Sequence, residues 1–206
     1  HQAMARSLVW RAGTQRMAGN LNAAIVDAQQ TIRLTDNDPS LRKVKAEALR
    51  CIGLCLDKQG KSTEAVDWLS QALAISSSIK DAENTAIIQL GLGVVYENLG
   101  KYSQSMAMYQ SALEHWRQTE NSIWLANLLN NLGVLQHLTG DYKAAISSYE
   151  SALQHAHKSG YARIQAFILT GIGDIYVELN AIDEARQAYN QAVAIAQKLH
   201  IKFLQV

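Results

Sequence analysis

The chain has 206 residues, of which 48% are hydrophobic and 18% charged, and it contains 12 glycines, one proline and two cysteines. This size and composition allow a substantial buried core and exclude a disordered chain or a disulfide-rich scaffold. The formal net charge of +1 excludes the strong positive field of proteins that bind nucleic acid or anionic membranes, so we predict neither partner.

A spacing of about 40 residues recurs along the whole chain. Gly19, Gly60, Gly100, Gly140 and Asn180 are separated by 41, 40, 40 and 40 residues. A second set of small residues lies seven positions before them: Ala12, Gly53, Gly93, Gly133 and Gly173. Eight of the 12 glycines occupy these two positions, which indicates an internal structural repeat.

The repeat predicts five helical hairpins in chain order, at about 3–38, 40–79, 81–119, 121–159 and 161–199. In the third, apolar spacing predicts a helix over 82–99 that ends at Gly100 in a left-handed conformation. A second helical pattern follows Tyr102, and the short turn between the two makes them antiparallel. The sequence therefore predicts an all-α protein.

Small residues within the helices are expected where two helices approach closely. We expect that approach at Gly133 on a first helix and at Ala145 and Ala152 on the second, with large residues such as Leu132, Leu135 and Tyr149 filling the space around them. A leucine at Gly133 should then cost roughly 1–3 kcal/mol through overpacking.

The repeat resembles the tetratricopeptide repeat (TPR), a helical hairpin that stacks into solenoids. The residues that carry the resemblance are Leu92-Gly93-Val94-Val95-Tyr96 with Ser105 and Tyr109, and Ile172-Gly173-Asp174-Ile175-Tyr176 with Ala185 and Tyr189. The period departs from the usual 34 or so residues, and a period of 40 also fits HEAT or armadillo units. The matched signature positions favour a TPR with longer helices.

Forty-residue units of this kind are similar to the TPR sensor arrays of MalT-like bacterial transcription regulators and signal-transducing ATPases. The resemblance implies a right-handed superhelical solenoid in a single domain over residues 1–206, located in the cytoplasm. It also implies a non-catalytic module for protein–protein interaction or signal sensing. Its partner would be a protein, a peptide, a small ligand or another domain of the same parent protein. The alternative is a free-standing peptide receptor or assembly adapter.

Solenoids of this kind curve, and the first helix of each hairpin lines the concave face, where partners usually bind. Helical spacing places Arg6, Val9, Trp10, Gly13 and Arg16 inward in the first hairpin, and Glu47, Arg50, Cys51, Leu54 and Asp57 in the second. Gly91 and Gly171 also fall on inward positions. The predicted partner-binding residues are Arg50, Glu97, Asn98, Asn127, Asn130, Asn131, His137 and Asp174.

Asparagine supplies both a donor and an acceptor, so Asn127, Asn130 and Asn131 could hold a peptide backbone. They could equally bond neighbouring helices or water. The carboxylate clamp of chaperone-adapter TPR proteins is not matched, because Leu90, Val94 and Phe167 occupy flanking clamp positions.

No catalytic, cofactor-binding or metal-binding motif is evident, and we predict no enzymatic activity and no cofactor. Cys51 and Cys55 lie four apart on one helix, but no further Cys or His falls at a partner spacing, so buried thiols are favoured over a metal site. The first fifty residues hold eight Lys and Arg against four Asp and Glu, which fits either an acidic partner or a solvated end.

Residues 200–206 align with the start of a further repeat and contain Ile201, Phe203, Leu204 and Val206. A solenoid needs a polar cap where stacking ends, so we expect a fragment of a longer protein, with the first part of a further helix at a truncated end. The alternative is that this apolar end docks on a partner or forms a homo-oligomer contact.

Overall fold

The fold is all-α, as the repeat predicts. The computed structural model describes residues 1–199, which form ten α-helices, a short 3-10 helix at Pro39–Leu41, and no strand. The helices are α1 Gln2–Met17, α2 Leu21–Thr35, α3 Arg42–Lys58, α4 Ser62–Ser78, α5 Ala82–Asn98, α6 Tyr102–Gln118, α7 Ser122–Leu138, α8 Tyr142–Lys158, α9 Ala162–Glu178 and α10 Ile182–Lys198. None of the helices in residues 1–199 is long and apolar enough to cross a membrane.

Each odd-numbered helix, here called a first helix, packs against the even-numbered second helix that follows it. The chain divides into two compact units, residues 1–115 and a second that begins at Trp116, within α6. In the first unit α1 contacts α3 and α3 contacts α5, and in the second unit α7 contacts α9. That the whole chain is one domain stays a prediction. The predictions for residues 200–206 lie outside the described residues.

The turns inside the hairpins use the left-handed backbone conformation that the glycine spacing predicts. The φ angle is +85° at Gly19, +69° at Gly100 and +57° at Asn180. The turns between hairpins use the same conformation, with φ of +56° at Lys80 and +50° at Glu120. Two of these positions carry bulky side chains, so the sequence alone did not indicate them.

The glycines within the first helices make room for side chains of the second helices. A Cβ atom added to Gly133 would lie 2.7 Å from Cδ1 of Tyr149, and one added to Gly171 would lie 2.6 Å from Cζ of the same ring. Tyr149 is therefore packed between Gly133 of its own hairpin and Gly171 of the next. The Tyr149 ring fills the space beside Gly133, as expected from the sequence, and it occupies the position that a side chain on Gly133 would need.

The same arrangement occurs in the first unit with a smaller side chain. A Cβ atom on Gly53 would lie 2.7 Å from Cγ of Leu69, and one on Gly91 would lie 3.2 Å from Cδ2 of Leu54 and 3.9 Å from Cδ2 of Leu69. Gly91 is buried. Gly91 and Gly171, which helical spacing assigned to the concave face, therefore serve the contact between successive hairpins.

Candidate functional site

An open groove of about 660 Å³ lies on the first-helix face of the first unit. It runs between α1 and α3, two helices in direct contact, with the turn before α3 at one end. The lining residues are Arg6, Val9, Trp10, Gly13, Thr14, Arg16, Met17, Ser40, Lys43, Val44, Glu47, Arg50 and Cys51. Two large apolar side chains stand at its rim, since Trp10 is 73% exposed and Met17 79% exposed.

Gly13 differs from the other glycines inside helices. It lies inside α1, one turn before the end of the helix, and lines the groove, and a Cβ atom added there would have no atom within 4 Å. A glycine inside a helix costs about 1 kcal/mol relative to alanine. At Gly53 or Gly133 tight packing accounts for that cost, whereas at Gly13 the absent side chain leaves the groove open.

The groove is rich in positive charge. Four of its lining side chains are cationic, those of Arg6, Arg16, Lys43 and Arg50, and Glu47 supplies the one carboxylate in the lining. Lys43 is paired outside the groove, with its Nζ 3.0 Å from Oδ2 of Asp81. Burial raises the pKa of Glu47, against the opposing effects of Arg50 and Lys43.

Arg50 is the most enclosed of these cations. Its side chain is half-buried, and its Nε is fully buried with no hydrogen-bond partner. Burial, and after it the like charge of Arg16, lowers the pKa of the Arg50 guanidinium. Among the ion pairs of residues 1–199, none includes Arg6, Arg16 or Arg50.

The two cysteines are buried free thiols, as favoured from their spacing. The pKa of Cys51, which lines the groove, is lowered first by a hydrogen bond with Cys55 and then by the charges of Arg16 and Arg50. The part of the chain that the structure describes contains no group of three or more His, Cys, Asp or Glu residues placed to hold a metal ion.

Two of the predicted site residues accept hydrogen bonds within their own hairpins. Oε2 of Glu97 accepts from the Tyr109 hydroxyl at 3.1 Å, and Oδ1 of Asp174 accepts from the Tyr189 hydroxyl at 2.6 Å. Glu97 is half-buried, and burial raises its pKa despite the hydrogen bond from Tyr109. Each carboxylate fixes the tyrosine that fills its hairpin.

Two other predicted residues link neighbouring first helices. Nδ2 of Asn98 donates to both carboxylate oxygens of Asp57, at 3.2 and 3.0 Å, and joins α5 to α3. Nε2 of His137 lies 3.1 Å from Oε1 of Glu178 and joins α7 to α9. In both links the two residues are 41 positions apart. Asn98 and His137 thus have partners inside the protein, which sequence reasoning did not anticipate.

The three asparagines on α7 are half-buried, and their side-chain hydrogen bonds lie within α7. Nδ2 of Asn127 donates to the Ile123 carbonyl oxygen of the same helix at 2.8 Å, and Nδ2 of Asn130 donates to Oδ1 of Asn131 at 3.4 Å. Neither bond joins α7 to a neighbouring helix. Their role in partner binding stays a prediction.

Of the eight predicted site residues, Arg50 is the one that lines the groove. Helical spacing placed Trp10, Gly13 and Arg16 inward correctly, but it missed Lys43, which precedes Arg50 by seven residues. Two helical turns separate such residues, so the same spacing could have found it. Helical spacing could not have identified Met17, the last residue of α1, or Ser40, which lies in the short 3-10 helix before α3.

Comparison with known families settles the type of repeat. The family described as the MalT-like TPR region matches residues 54–205, more than half of the chain. The chain belongs to the MalT-like TPR family. No protein with a curated description matches this MalT-like TPR chain.

Solved structures show that the fold of this MalT-like TPR protein is widely shared. BtubC (BKLC) from P. vanneervenii is 19% identical with a TM-score of 0.82, over 97% of this chain and 82% of that one. A Rap protein complexed with competence and sporulation factor is 19% identical with a TM-score of 0.85, over 96% of this chain and 55% of that one. TPR-like repeats of a putative kinesin light chain from Podosopora anserina are 16% identical with a TM-score of 0.74, over 98% and 99%.

Proposed function

We propose that this MalT-like TPR chain is a non-catalytic protein-interaction and signal-sensing module that binds a peptide or protein on its first-helix face. We place it within a larger bacterial transcription regulator or signal-transduction protein. Membership of the MalT-like TPR family supports this proposal, and so does the shared fold with a Rap protein complexed with competence and sporulation factor.

The observation that carries the proposal is the groove between α1 and α3. Its open centre at Gly13 and the exposed Trp10 and Met17 give a concave surface with apolar contacts and polar side chains, which is the usual composition of a ligand site. Gly13 weakens α1 without improving the packing, and a ligand that needs the space accounts for a glycine at this position.

A substitution at Gly13 tests the groove directly. A randomised library of twelve-residue peptides is panned against the full chain, and recovered peptides are titrated against the variants by calorimetry. Gly13→Leu should weaken their binding at least tenfold while leaving the unfolding temperature equal or higher, because the new side chain fills open space in a helix. Ala23→Leu, on the exposed face of α2, is the matched control and should bind as the wild type does.

The asparagines of α7 form a second candidate surface, in the second unit. Some peptides could bind Gly13→Leu as tightly as the wild type but lose affinity for the Asn130→Ala/Asn131→Ala double variant. That result would place the binding site on α7 and contradict the proposal that the groove is the binding site. If no peptide is recovered by the wild-type chain, the peptide-binding function itself is contradicted.

A further inference from the structure

The positive charge of the groove is not balanced within the protein. Arg6, Arg16 and Arg50 line it without an ion-pair partner among residues 1–199, while Lys43 is neutralised by Asp81. Arg11, by contrast, is paired although its side chain is 57% exposed: its nitrogens Nε and Nη2 each lie 2.6 Å from a carboxylate oxygen of Asp27. Arg11 thus binds a carboxylate, whereas among residues 1–199 the one carboxylate of the groove lining, Glu47, forms no ion pair with Arg50.

Leaving Arg50 unpaired is energetically unfavourable. Burial deprives the Arg50 charge of hydration and the nearby Arg16 adds repulsion, and the charge of Glu47 offsets these two effects only in part. An anion seated between the two guanidinium groups would remove both penalties. The planar fork of arginine donors matches a carboxylate in a bidentate geometry.

We propose that the groove recognises an acidic peptide, with an Asp or Glu carboxylate of the ligand bound by Arg50 and Arg16 and a neighbouring apolar side chain packed on Trp10 and Met17. This proposal rests on the proposed function, since it names the ligand class of the same groove.

The surroundings favour a peptide over a nucleic acid. A polyanion needs a stripe of cations, whereas the formal net charge of this chain is +1 and the groove lining combines four cations with one carboxylate. Trp10 and Met17 offer apolar area beside the charges, and a peptide can supply a carboxylate and an apolar side chain within two or three residues.

Three matched probes test the charge requirement. The first is a fluorescein-labelled twelve-residue peptide with Glu at every third position among Leu, Ser and Gly, and the second and third carry Gln or Lys in place of Glu. By fluorescence anisotropy at low salt, the full chain should bind the Glu peptide at least tenfold more tightly than the Gln peptide and should bind the Lys peptide most weakly. Arg50→Gln should reduce that preference to less than twofold.

Arg16→Gln is a second variant at the same site, and it keeps the test valid if Arg50→Gln does not fold as judged by circular dichroism. Arg186→Gln, an exposed arginine of the second unit, is the matched control and should leave the preference unchanged. In competition at equal ionic strength, sodium glutarate should displace the Glu peptide more effectively than inorganic phosphate does.

Equal affinity for the Glu and Gln peptides, a preference that survives both arginine substitutions, or stronger competition by phosphate would each overturn the proposal. Each of these results would contradict the acidic-peptide specificity without contradicting peptide binding in the groove. If uncharged library peptides bind the wild type and not Gly13→Leu, the groove is a binding site but not one for acidic peptides.

Discussion

Glycine serves three different purposes in this chain, and its surroundings distinguish them. Gly100 takes a left-handed backbone conformation in a turn, Gly133 leaves room for the Tyr149 ring, and Gly13 borders open space. Only the first two purposes are structural. The difference is testable, because a methyl group has opposite effects at a packed and at an open position.

Gly133→Ala should lower the free energy of unfolding. The new Cβ would lie 2.7 Å from the Tyr149 ring, and overpacking of about 1–3 kcal/mol exceeds the gain in helix propensity of about 1 kcal/mol. Gly13→Ala, where no atom lies within 4 Å, should instead raise it by about 1 kcal/mol. Urea unfolding measures both, and equal stabilisation by the two substitutions would contradict the packing described for Tyr149.

Glu97→Gln should change how stability depends on pH. Burial raises the pKa of Glu97 in the folded chain above its value of about 4.3 in the unfolded chain. The protonated Glu97 therefore contributes fully to the free energy of unfolding below the unfolded-state pKa, and this contribution is lost as the pH rises through the folded-state pKa. The glutamine keeps an acceptor for the Tyr109 hydroxyl but does not titrate. Relative to wild type, the variant should therefore gain stability across that pH window.

Denaturant titrations of both proteins at several pH values measure this difference. Tyr109→Phe is the companion variant: it removes the hydrogen bond that lowers the pKa of Glu97, so the loss of stability should extend to higher pH. A constant difference between wild type and Glu97→Gln from pH 4 to pH 8 would show that Glu97 is not desolvated.

At the scale of helices, the links between neighbouring first helices follow a common offset. Asp57 pairs with Asn98 and His137 with Glu178, and the two residues of each pair are 41 positions apart. In each pair the first residue lies three positions before the turn residue of its own hairpin, and the second lies two positions before the turn residue of the next hairpin. The two links differ in chemistry but not in position. They hold α3 against α5 and α7 against α9 at the same ends of the helices.

The link at Glu178 predicts a measurable pKa. Hydrogen bonds from Tyr142 and then from His137 lower the pKa of Glu178, so its stabilising contribution is present above the unfolded pKa and is lost as the pH falls through the lower folded value. Carbon-detected NMR titration should therefore show that Tyr142→Phe raises this pKa more than His137→Ala does. A larger effect of His137→Ala would reverse the assigned order of the two hydrogen bonds.

The sequence predicted the helices and their turns well because both depend on local spacing, as Gly93 and Gly100 illustrate. It did not predict the partners of Asn98 or His137, because a contact over 41 residues depends on the relative placement of two hairpins. Gly91 and Gly171 were misassigned for a related reason. Cys51 and Asn131 hold the corresponding places in other repeats, so no repeated glycine marked that contact.

Within each compact unit, successive hairpins contact each other, which makes local opening the expected response to a local defect. Gly173→Leu would place side-chain atoms in the Tyr189 ring, since even a Cβ would lie 2.6 Å from it. Hydrogen exchange should then accelerate most in α9 and α10 and remain close to wild type in α1 to α4. Equal acceleration throughout would indicate that the chain unfolds as a single cooperative body.

The position of Tyr149 has a consequence for how such a chain can grow. The Tyr149 ring fills the space beside Gly133 of its own hairpin and contacts Gly171 of the next hairpin. The residues that form this contact between hairpins therefore lie within 40 residues of one another. Duplication of a segment that contains Gly133, Tyr149 and Gly171 together would copy both sides of this contact, so the added hairpin would need no compensating substitution there. Duplication of residues 121–159 alone would instead place Asn131 against the ring.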